Sequence, residues 1–556
     1  MSEKYTIGID YGTLSGRALL VRVSDGVKIA DSVCEYTHGV MDEYLPCADG
    51  EKIPLGEGWA LEHPEDYLEV LAVTIPELLE KSGVSADDVI GIGIDFTASS
   101  VIPVYADKTP LCFDPKFASN PYAYVRLWKD HSSSKYAVRM TQIARERGEE
   151  WLERYGGELQ GEWLVPKAWQ TLEEAPEVYA AADYFMECSD WINWVLTGEQ
   201  TRSESIAGFK AFYIDGKYPS HDYFAALDKR MRCFAEEKLG YGKVKMLPVG
   251  SVCGTIRESA AALTHLKVGT PVVTSIADAH AAVVSVGLRK SGDMLLILGT
   301  SAIQMLIDDA YVPVPGICGV VNGGYIPGMY AYEAGQRCMG DHFSWFAERF
   351  TPSECLEEAK ARGVKPIRVL CEKMAALKPG ESGLIAIDWW NGNRSILADA
   401  ELSGLFIGMT LTTKPEEMFR ALVEATAFGC RVIVDNYKNG GIAINSIVAS
   451  GGIASKDPVT MQIYADVLGC DIAISSQPDA SAHGMAVFAA LASGYYKTIA
   501  EAEEHMTVAP TKVYRPIEEN VRVYNELFEE FRLLHDYFGG ENDVMKRLLA
   551  IRRRCR

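Results

Sequence analysis

Two strand–turn–strand segments with polar turns constrain the fold of this chain most strongly. The first spans 6–23, and Asp10 lies at the end of its first strand. The second has strand-like residues at 294–298 and 303–307, joined by a glycine-containing turn at 299–301. Short apolar runs on either side of polar, glycine-containing turns are typical of β-hairpins. Because one hairpin opens each half of the chain, the pattern predicts a duplicated, two-lobed molecule.

The remaining pattern is that of an α/β protein. Apolar strand-like runs at 89–95 and 447–450 are separated by long stretches with helical spacing, such as 130–185. Another strand-like run ends just before Asp278, at the kind of strand end where α/β sheets carry their chemistry. We therefore predict an N-terminal lobe over 1–288 and a C-terminal lobe over 289–556.

Charge and cysteine content exclude several classes of protein. The 556 residues carry a formal net charge of −22, which repels nucleic acid and anionic lipid. The 13 cysteines include no C-x-x-C pair, and no apolar run is long enough to span a membrane. The sequence therefore predicts a soluble cytoplasmic enzyme that binds neither nucleic acid nor membrane, and any phosphate chemistry requires local donors or a metal ion.

The first hairpin contains the parts of a phosphate clamp. Its glycines allow close approach of backbone N–H groups, Thr13 and Ser15 offer hydroxyl donors, and Arg17 offers positive charge. Asp10 is suited to a hydrated Mg²⁺ ion. An ordinary hairpin remains the alternative, since Asp and Gly favour turns in any case.

Two later turns add to this picture. Gly299 and Thr300 form the turn of the second hairpin, so two hairpins could hold one polyphosphate from both lobes. Gly451, Gly452 and Ser455 follow a strand and begin a helix, where backbone could pass beneath an adenosine. A tight strand-to-helix turn explains the same residues equally well.

Competing nucleotide motifs are absent from the sequence. Neither Gly-Lys pair is followed by Ser or Thr, so there is no Walker loop, and no G-x-G-x-x-G opens a helix. The histidines lack metal-binding spacing, which favours structural or hydrogen-bonding roles for His131 and His280. Asp278 could accept a hydroxyl proton, although its spacing alone favours a helix N-cap.

Taken together, these motifs resemble the FGGY family of carbohydrate kinases. Segments 9–17 and 299–301 are similar to the two phosphate motifs of the family, and 450–455 is similar to its adenosine motif. Segment 404–424 is similar to its C-terminal signature. Each motif is short, but the set occurs in the family's order along nearly the whole chain.

The resemblance implies two ribonuclease-H-like lobes, of the actin and hexokinase type, closing on a cleft for sugar and MgATP. It makes Asp278 the catalytic base in place of a cap, and it places Asp10 and Asp278 beside Mg²⁺. The residues it assigns to ATP are Thr13, Ser15, Arg17, Gly299, Thr300, Gly451, Gly452 and Ser455.

The segments 207–211, 276–281 and 332–336 are similar to those of family members that phosphorylate L-ribulose. By that resemblance Lys210 and Glu333 contact the ketose together with Asp278, and Ala98 lines its pocket. We expect ATP-dependent formation of L-ribulose 5-phosphate; a kinase for D-ribulose or xylulose and a nucleotide-switch ATPase of the same fold are the alternatives. The expected partners are a ketopentose and MgATP, and a homodimer stays open.

Overall fold

The computed structural model describes residues 3–47, 50–510 and 512–555. The strands of the first half are β1 (Tyr5–Tyr11), β2 (Ser15–Arg22), β3 (Lys28–Glu35), β4 (Tyr44–Pro46), β5 (Lys52–Pro54), β6 (Leu61–Glu62), β7 (Val89–Phe96), β8 (Val101–Val104), β9 (Val125–Arg126), β10 (Tyr184–Glu187), β11 (Thr201–Ser203), β12 (Lys245–Leu247), β13 (Val252–Thr255), β14 (Pro271–Val273) and β15 (Ile276–Ala277). Its helices are α1 (Pro64–Ser82), α2 (Ser134–Arg147), α3 (Leu164–Glu174), α4 (Pro176–Ala181), α5 (Cys188–Thr197), α6 (Glu204–Lys210), α7 (His221–Leu227), α8 (Phe234–Lys238), α9 (Glu258–Thr264) and α10 (Asp278–Ser285).

The second half continues the α/β alternation. Its strands are β16 (Asp293–Leu298), β17 (Ala302–Asp308), β18 (Gly319–Asn322), β19 (Tyr330–Gln336), β20 (Ile385–Ile387), β21 (Leu405–Ile407), β22 (Ser446–Ser450), β23 (Ile472–Ile474) and β24 (Lys512–Tyr514). Its helices are α11 (Gly340–Phe350), α12 (Ser353–Arg362), α13 (Pro366–Ala375), α14 (Pro415–Asn439), α15 (Gly452–Lys456), α16 (Pro458–Leu468), α17 (Ala480–Ala492), α18 (Ile499–Met506), α19 (Glu518–Asp536) and α20 (Val544–Cys555).

The first main sheet is built around the predicted N-terminal hairpin. Its order is β13-β14-β7-β1-β2-β3, and β15 also pairs with β7. Strands β1 and β2 are antiparallel, whereas β1 and β15 both run parallel to β7. Ile7 and Ile9 of β1 are fully buried, because this strand lies inside the sheet and contributes to a core. Parallel strands at the centre of this sheet bring three strand ends to one edge.

The second main sheet repeats this arrangement. Its order is β18-β19-β17-β16-β22-β23-β24, with β16 antiparallel to β17 and parallel to β22. A hairpin followed by a parallel strand therefore forms the centre of both sheets. This repetition confirms the predicted α/β fold and both predicted hairpins.

Helices α10 and α17 pack closely against each other, and α17 also lies on β1 and β7 of the first sheet. The hydroxyl of Thr6 donates a 2.9 Å hydrogen bond to the carbonyl of Ala486 in α17. A Cβ atom on Gly484 would lie 2.0 Å from the carbonyl oxygen of Ala281 in α10. This close approach fixes the position of α10 relative to the first sheet.

No helix within the described ranges is both long enough and apolar enough to cross a membrane.

We predict that Gly484→Ala destabilises the protein by about 1–3 kcal/mol, the usual cost of overpacking a core. Alanine is otherwise favoured over glycine inside a helix, so the loss would report the steric contact with Ala281. The measurement is the urea unfolding midpoint. Gly540→Ala is the matched control, since a Cβ there meets nothing within 4 Å. Equal midpoints for Gly484→Ala and the wild type would contradict this packing argument.

Candidate active site

Three carboxyl groups lie at the ends of neighbouring strands in the first sheet. Asp10 of β1 is in register with Asp95 of β7, and Ile276 of β15 is in register with Asp95 from the other side. Asp278 follows β15 directly. The carboxylates of Asp10 and Asp278 both raise the pKa of Asp95, so all three groups lie near one another. The sheet therefore brings Asp10, Asp95 and Asp278 together at one edge.

Asp278 is positioned as the first residue of α10. The residue that caps this helix is Ala277, which has no side-chain hydrogen bond, and the Asp278 carboxylate accepts the N–H of Ala279 at 2.7 Å. Burial raises the pKa of Asp278 to about 7, and the nearby Asp10 carboxylate adds to this effect. A carboxyl group with a pKa near neutrality is suited to accept a proton at physiological pH.

Asp95 is a member of this cluster that sequence reasoning did not assign. It is fully buried, and neither of its carboxylate oxygens accepts a hydrogen bond from a donor group among the described residues. Burial and the adjacent Asp10 hold its pKa well above the usual range, and burial also raises the pKa of Asp10. The signal in the sequence was an aspartate ending each of two similar apolar strands.

The predicted sugar-binding residues Lys210 and Glu333 form a buried ion pair. Lys210 ends α6 and Glu333 lies in β19, and the ammonium nitrogen is 3.1 Å from Oε1 of the carboxylate. His280 of α10 lies on the other side of the pair, with its Nε2 atom 2.7 Å from Oε2 of Glu333. Burial opposes ionisation of Glu333, but Lys210 and His280 outweigh it and hold the pKa of Glu333 well below its usual range.

Ala98 is half-buried in the loop after β7, beside the acidic cluster. The following residue, Ser99, has a φ of 66°, and its carbonyl accepts a 2.7 Å hydrogen bond from Lys167. Lys167 is buried in α3, and burial lowers the pKa of its ammonium group to about 8. Lys167 therefore anchors the Ala98 loop, a role that its position in the sequence did not indicate.

The first hairpin forms a closed polar turn above this edge. The Gly12 N–H donates to the carbonyl of Ser15 at 3.0 Å, and the indole N–H of Trp128 donates to the Thr13 hydroxyl at 3.0 Å. Arg17 is directly opposite Asp10 in the β1–β2 register. Its guanidinium lies 3.5 Å from a carboxylate oxygen of Asp479, at the start of α17. The predicted phosphate-binding arginine thus has a carboxylate partner that the sequence pattern did not reveal.

The two turns of the second sheet lie at one edge as well. Gly299 and Thr300 follow β16, and Gly451 follows β22, which pairs with β16 in parallel. The carbonyl of Gly299 accepts the N–H of Gly340 at 3.0 Å, so the hairpin contacts the start of α11. Gly451 has a φ of 99°, and a Cβ atom there would lie 2.6 Å from the carbonyl oxygen of Leu298.

Open space surrounds the helix start that follows. A Cβ atom on Gly452 would meet nothing within 4 Å. The Ser455 hydroxyl donates to the carbonyl of Gly452 at 3.2 Å and is exposed. Gly452 and Ser455 are both exposed, so there is room for a ligand beside the start of α15.

Oxygen ligands for a hard cation are available from Asp10 and Asp278. Carboxylates are the groups that Mg²⁺ prefers, and Asp95, whose raised pKa keeps it protonated, forms a hydrogen bond with Asp10 that favours the ionised form of Asp10. Elsewhere among the described residues, His38, His63 and Glu65 lie close enough to share an ion. The two imidazole rings stack at 4.2 Å and 21°, so their nitrogen lone pairs run side by side and do not converge on one ion.

Comparison with known proteins identifies the family. Residues 5–285 match the N-terminal domain of the FGGY family of carbohydrate kinases, and residues 294–493 match its C-terminal domain. A ribulokinase of Bacillus licheniformis is 48% identical over 544 residues, covering 97% of this chain and 98% of the relative. A ribulokinase of Geobacillus thermodenitrificans is 46% identical over 555 residues, covering 99% of this chain and 97% of the relative.

Solved structures agree on the fold. A xylulose kinase from Rhodospirillum rubrum has a TM-score of 0.77 at 24% identity, covering 96% of this chain and 99% of that structure. A ligand-bound xylulose kinase from Lactobacillus acidophilus has a TM-score of 0.79 at 18% identity, covering 97% of this chain and 99% of that structure. These similarities confirm the expected two-domain, actin- and hexokinase-like architecture, and the chain belongs to the FGGY family of carbohydrate kinases.

Proposed function

We propose that this enzyme transfers the γ-phosphoryl group of ATP to the terminal hydroxyl of L-ribulose, giving L-ribulose 5-phosphate and ADP. The observation that carries the proposal is the 44–48% identity to ribulokinases over 97–100% of this chain. The buried Lys210–Glu333 pair supports it, because charged hydrogen bonds of this kind can orient a polyhydroxylated ketose.

In the proposed mechanism Asp278 acts as the general base. Its carboxylate accepts the proton of the ketose hydroxyl, and that oxygen attacks the γ-phosphorus of ATP. The bond between the γ-phosphorus and the bridging oxygen breaks, and ADP leaves with the electron pair. Lys210 and Glu333 hold the ketose, and Ala98 borders its site without adding a polar group.

We assign the phosphates of ATP to the two hairpin turns, with Thr13, Ser15, Arg17, Gly299 and Thr300 as donors. The adenosine is assigned to the start of α15, and its residues are Gly451, Gly452 and Ser455. Asp10 and Asp278 would hold a hydrated Mg²⁺ ion, which offsets negative charge on the phosphates when bound.

The first experiment is ADP release from MgATP across a panel of L-ribulose, D-ribulose, L-xylulose, D-xylulose and glycerol. We expect the highest kcat/KM with L-ribulose. A different preferred ketose would contradict the substrate assignment but not the kinase assignment. Hydrolysis of ATP at one rate whatever the sugar would contradict the kinase assignment and favour a nucleotide switch.

We predict that Asp278→Asn lowers kcat by about 10²–10⁴-fold, the usual contribution of a positioned general base. The amide has a similar shape but cannot accept the hydroxyl proton. Affinity for ATP, measured by calorimetry without magnesium, should change by less than about threefold. Turnover near the wild-type rate in the variant would contradict the assignment of Asp278 as the base.

The pH dependence of the reaction follows from the raised pKa of Asp278. The base form is the carboxylate, so kcat/KM should fall about tenfold per pH unit below a midpoint at about 7 and level off above it. The midpoint should move to lower pH as the Mg²⁺ concentration rises, because positive charge favours the ionised carboxylate. The measurement is kcat/KM for L-ribulose from about pH 5 to about pH 9. A profile without an acid limb over this range would refute a base of raised pKa.

A further inference from the structure

A buried chain of three side chains connects α6, β19 and α10. Lys210 donates to both oxygens of the Glu333 carboxylate, at 3.1 Å to Oε1 and 3.3 Å to Oε2. His280 Nε2 lies 2.7 Å from Oε2. We propose that His280 is a positioning residue for the ketose, because it holds Oε2 of Glu333 and thereby leaves Oε1 available to a ketose hydroxyl. The inference rests on the proposed function and extends it to a residue with no assigned role.

The acceptor positions of Glu333 lead to this assignment. An ionised carboxylate oxygen can accept about two hydrogen bonds. Oε2 already receives His280 and Lys210, whereas Oε1 receives Lys210 alone. Oε1 is therefore the oxygen with an open acceptor position. Without the hydrogen bond from His280, each oxygen of Glu333 would have an open acceptor position. The carboxylate could then rotate about its terminal side-chain torsion, which is only weakly restricted.

The direction of the His280 hydrogen bond also follows from its surroundings. The ionised Glu333 carboxylate can only accept, so Nε2 of His280 carries the hydrogen. The other ring nitrogen, Nδ1, is buried without a partner among the described residues. A hydrogen on Nδ1 would be a buried, unpaired donor, so the neutral tautomer with its hydrogen on Nε2 fits this site.

Packing holds the imidazole in this orientation. The His280 ring packs against both Phe209 and Tyr325, with ring centroids at 4.5 Å and 4.6 Å, and those two rings stack on each other at 5.7 Å. Phe209 precedes Lys210 in α6, and the Tyr325 hydroxyl donates to the carbonyl of Tyr332 at 3.0 Å. Both neighbours of the ring are thus tied to the backbone beside Lys210 and Glu333. A ring clamped in this way can set the direction of a carboxylate.

The position of His280 in the chain connects the ketose residues to the base. It lies two residues after Asp278 in the same short helix. The hydrogen bond from His280 to Glu333 therefore fixes the position of the Glu333 carboxylate, which binds the ketose, relative to the Asp278 carboxylate, which removes the proton of the reacting hydroxyl. Loss of this hydrogen bond should weaken binding of the ketose much more than binding of ATP.

The test compares His280→Gln with His280→Asn. The amide nitrogen of Gln can occupy the place of Nε2, whereas the shorter Asn side chain cannot reach Glu333. We expect His280→Asn to raise KM for L-ribulose about tenfold or more, since the lost bond is to a charged acceptor. KM for ATP should stay within about twofold of the wild-type value, and His280→Gln should keep KM for L-ribulose within about threefold.

A buried histidine outside this site provides the matched control. His535 of α19 is buried and packs against Trp389 and Phe531, with ring centroids at 5.2 Å and 6.2 Å. His535→Asn loses this ring packing and should lower the thermal midpoint while leaving KM for L-ribulose unchanged. Thermal midpoints are measured for all variants.

The outcomes of this experiment separate the positioning role of His280 from the proposed function of the enzyme. Equal KM increases for Gln and Asn at position 280, equal effects on L-ribulose and ATP, or a KM increase in His535→Asn would overturn the positioning role. A wild-type enzyme that prefers another ketose would contradict the proposed function alone. The same comparison of KM values is then made with that ketose, and a tenfold effect of His280→Asn that Gln reverses would support the positioning role.

Discussion

The close contact between α10 and α17 is the packing constraint on which the site depends. Helix α17 lies on β1 and β7, and Gly484 allows the backbone of α10 to approach it directly. Helix α10 carries both Asp278 and His280. One helix-to-helix contact therefore fixes Asp278 relative to Asp10 and Asp95 and positions His280 beside the carboxylate of Glu333. Packed interiors resist small displacements, so this arrangement can hold reacting groups in place.

Much of the fold could be predicted from the sequence because its central features are local. The two hairpins, the strand before Asp278 and the strand-to-helix turn at Gly451 each lie within a short stretch, where apolar runs and turn residues are diagnostic. The resemblance to the FGGY family rested on the order in which these motifs occur along the chain. Their relation in space follows from pairing of parallel strands, which places strand ends at a common edge.

Contacts between distant segments could not be predicted in this way. The register of Asp95 with Asp10 and the hydrogen bond between His280 and Glu333 both join residues that are far apart in the sequence. The carboxylate of Asp479 lies beside Arg17 although the two are far apart in the sequence. Such pairings depend on how helices pack on sheets, and no periodicity in a single sequence encodes them. The roles of all the assigned site residues stay predictions, from the base and the ketose residues to the ATP and metal ligands, and so does the lobe boundary at 288.

The paired charges of Lys210 and Glu333 also bear on the chemistry of Asp278. Glu333 raises the pKa of Asp278 while Lys210 lowers it, so the two effects oppose each other. Burial and Asp10 raise the pKa further, the hydrogen bond from the Ala279 N–H lowers it, and the balance brings the pKa to about 7. Lys210 without Glu333 would favour the ionised form of Asp278 and make it a weaker base. Glu333 without Lys210 would favour the protonated form of Asp278. The ion pair therefore offers charged hydrogen-bonding groups beside Asp278 while leaving the pKa of Asp278 close to neutrality, where general-base catalysis is most effective.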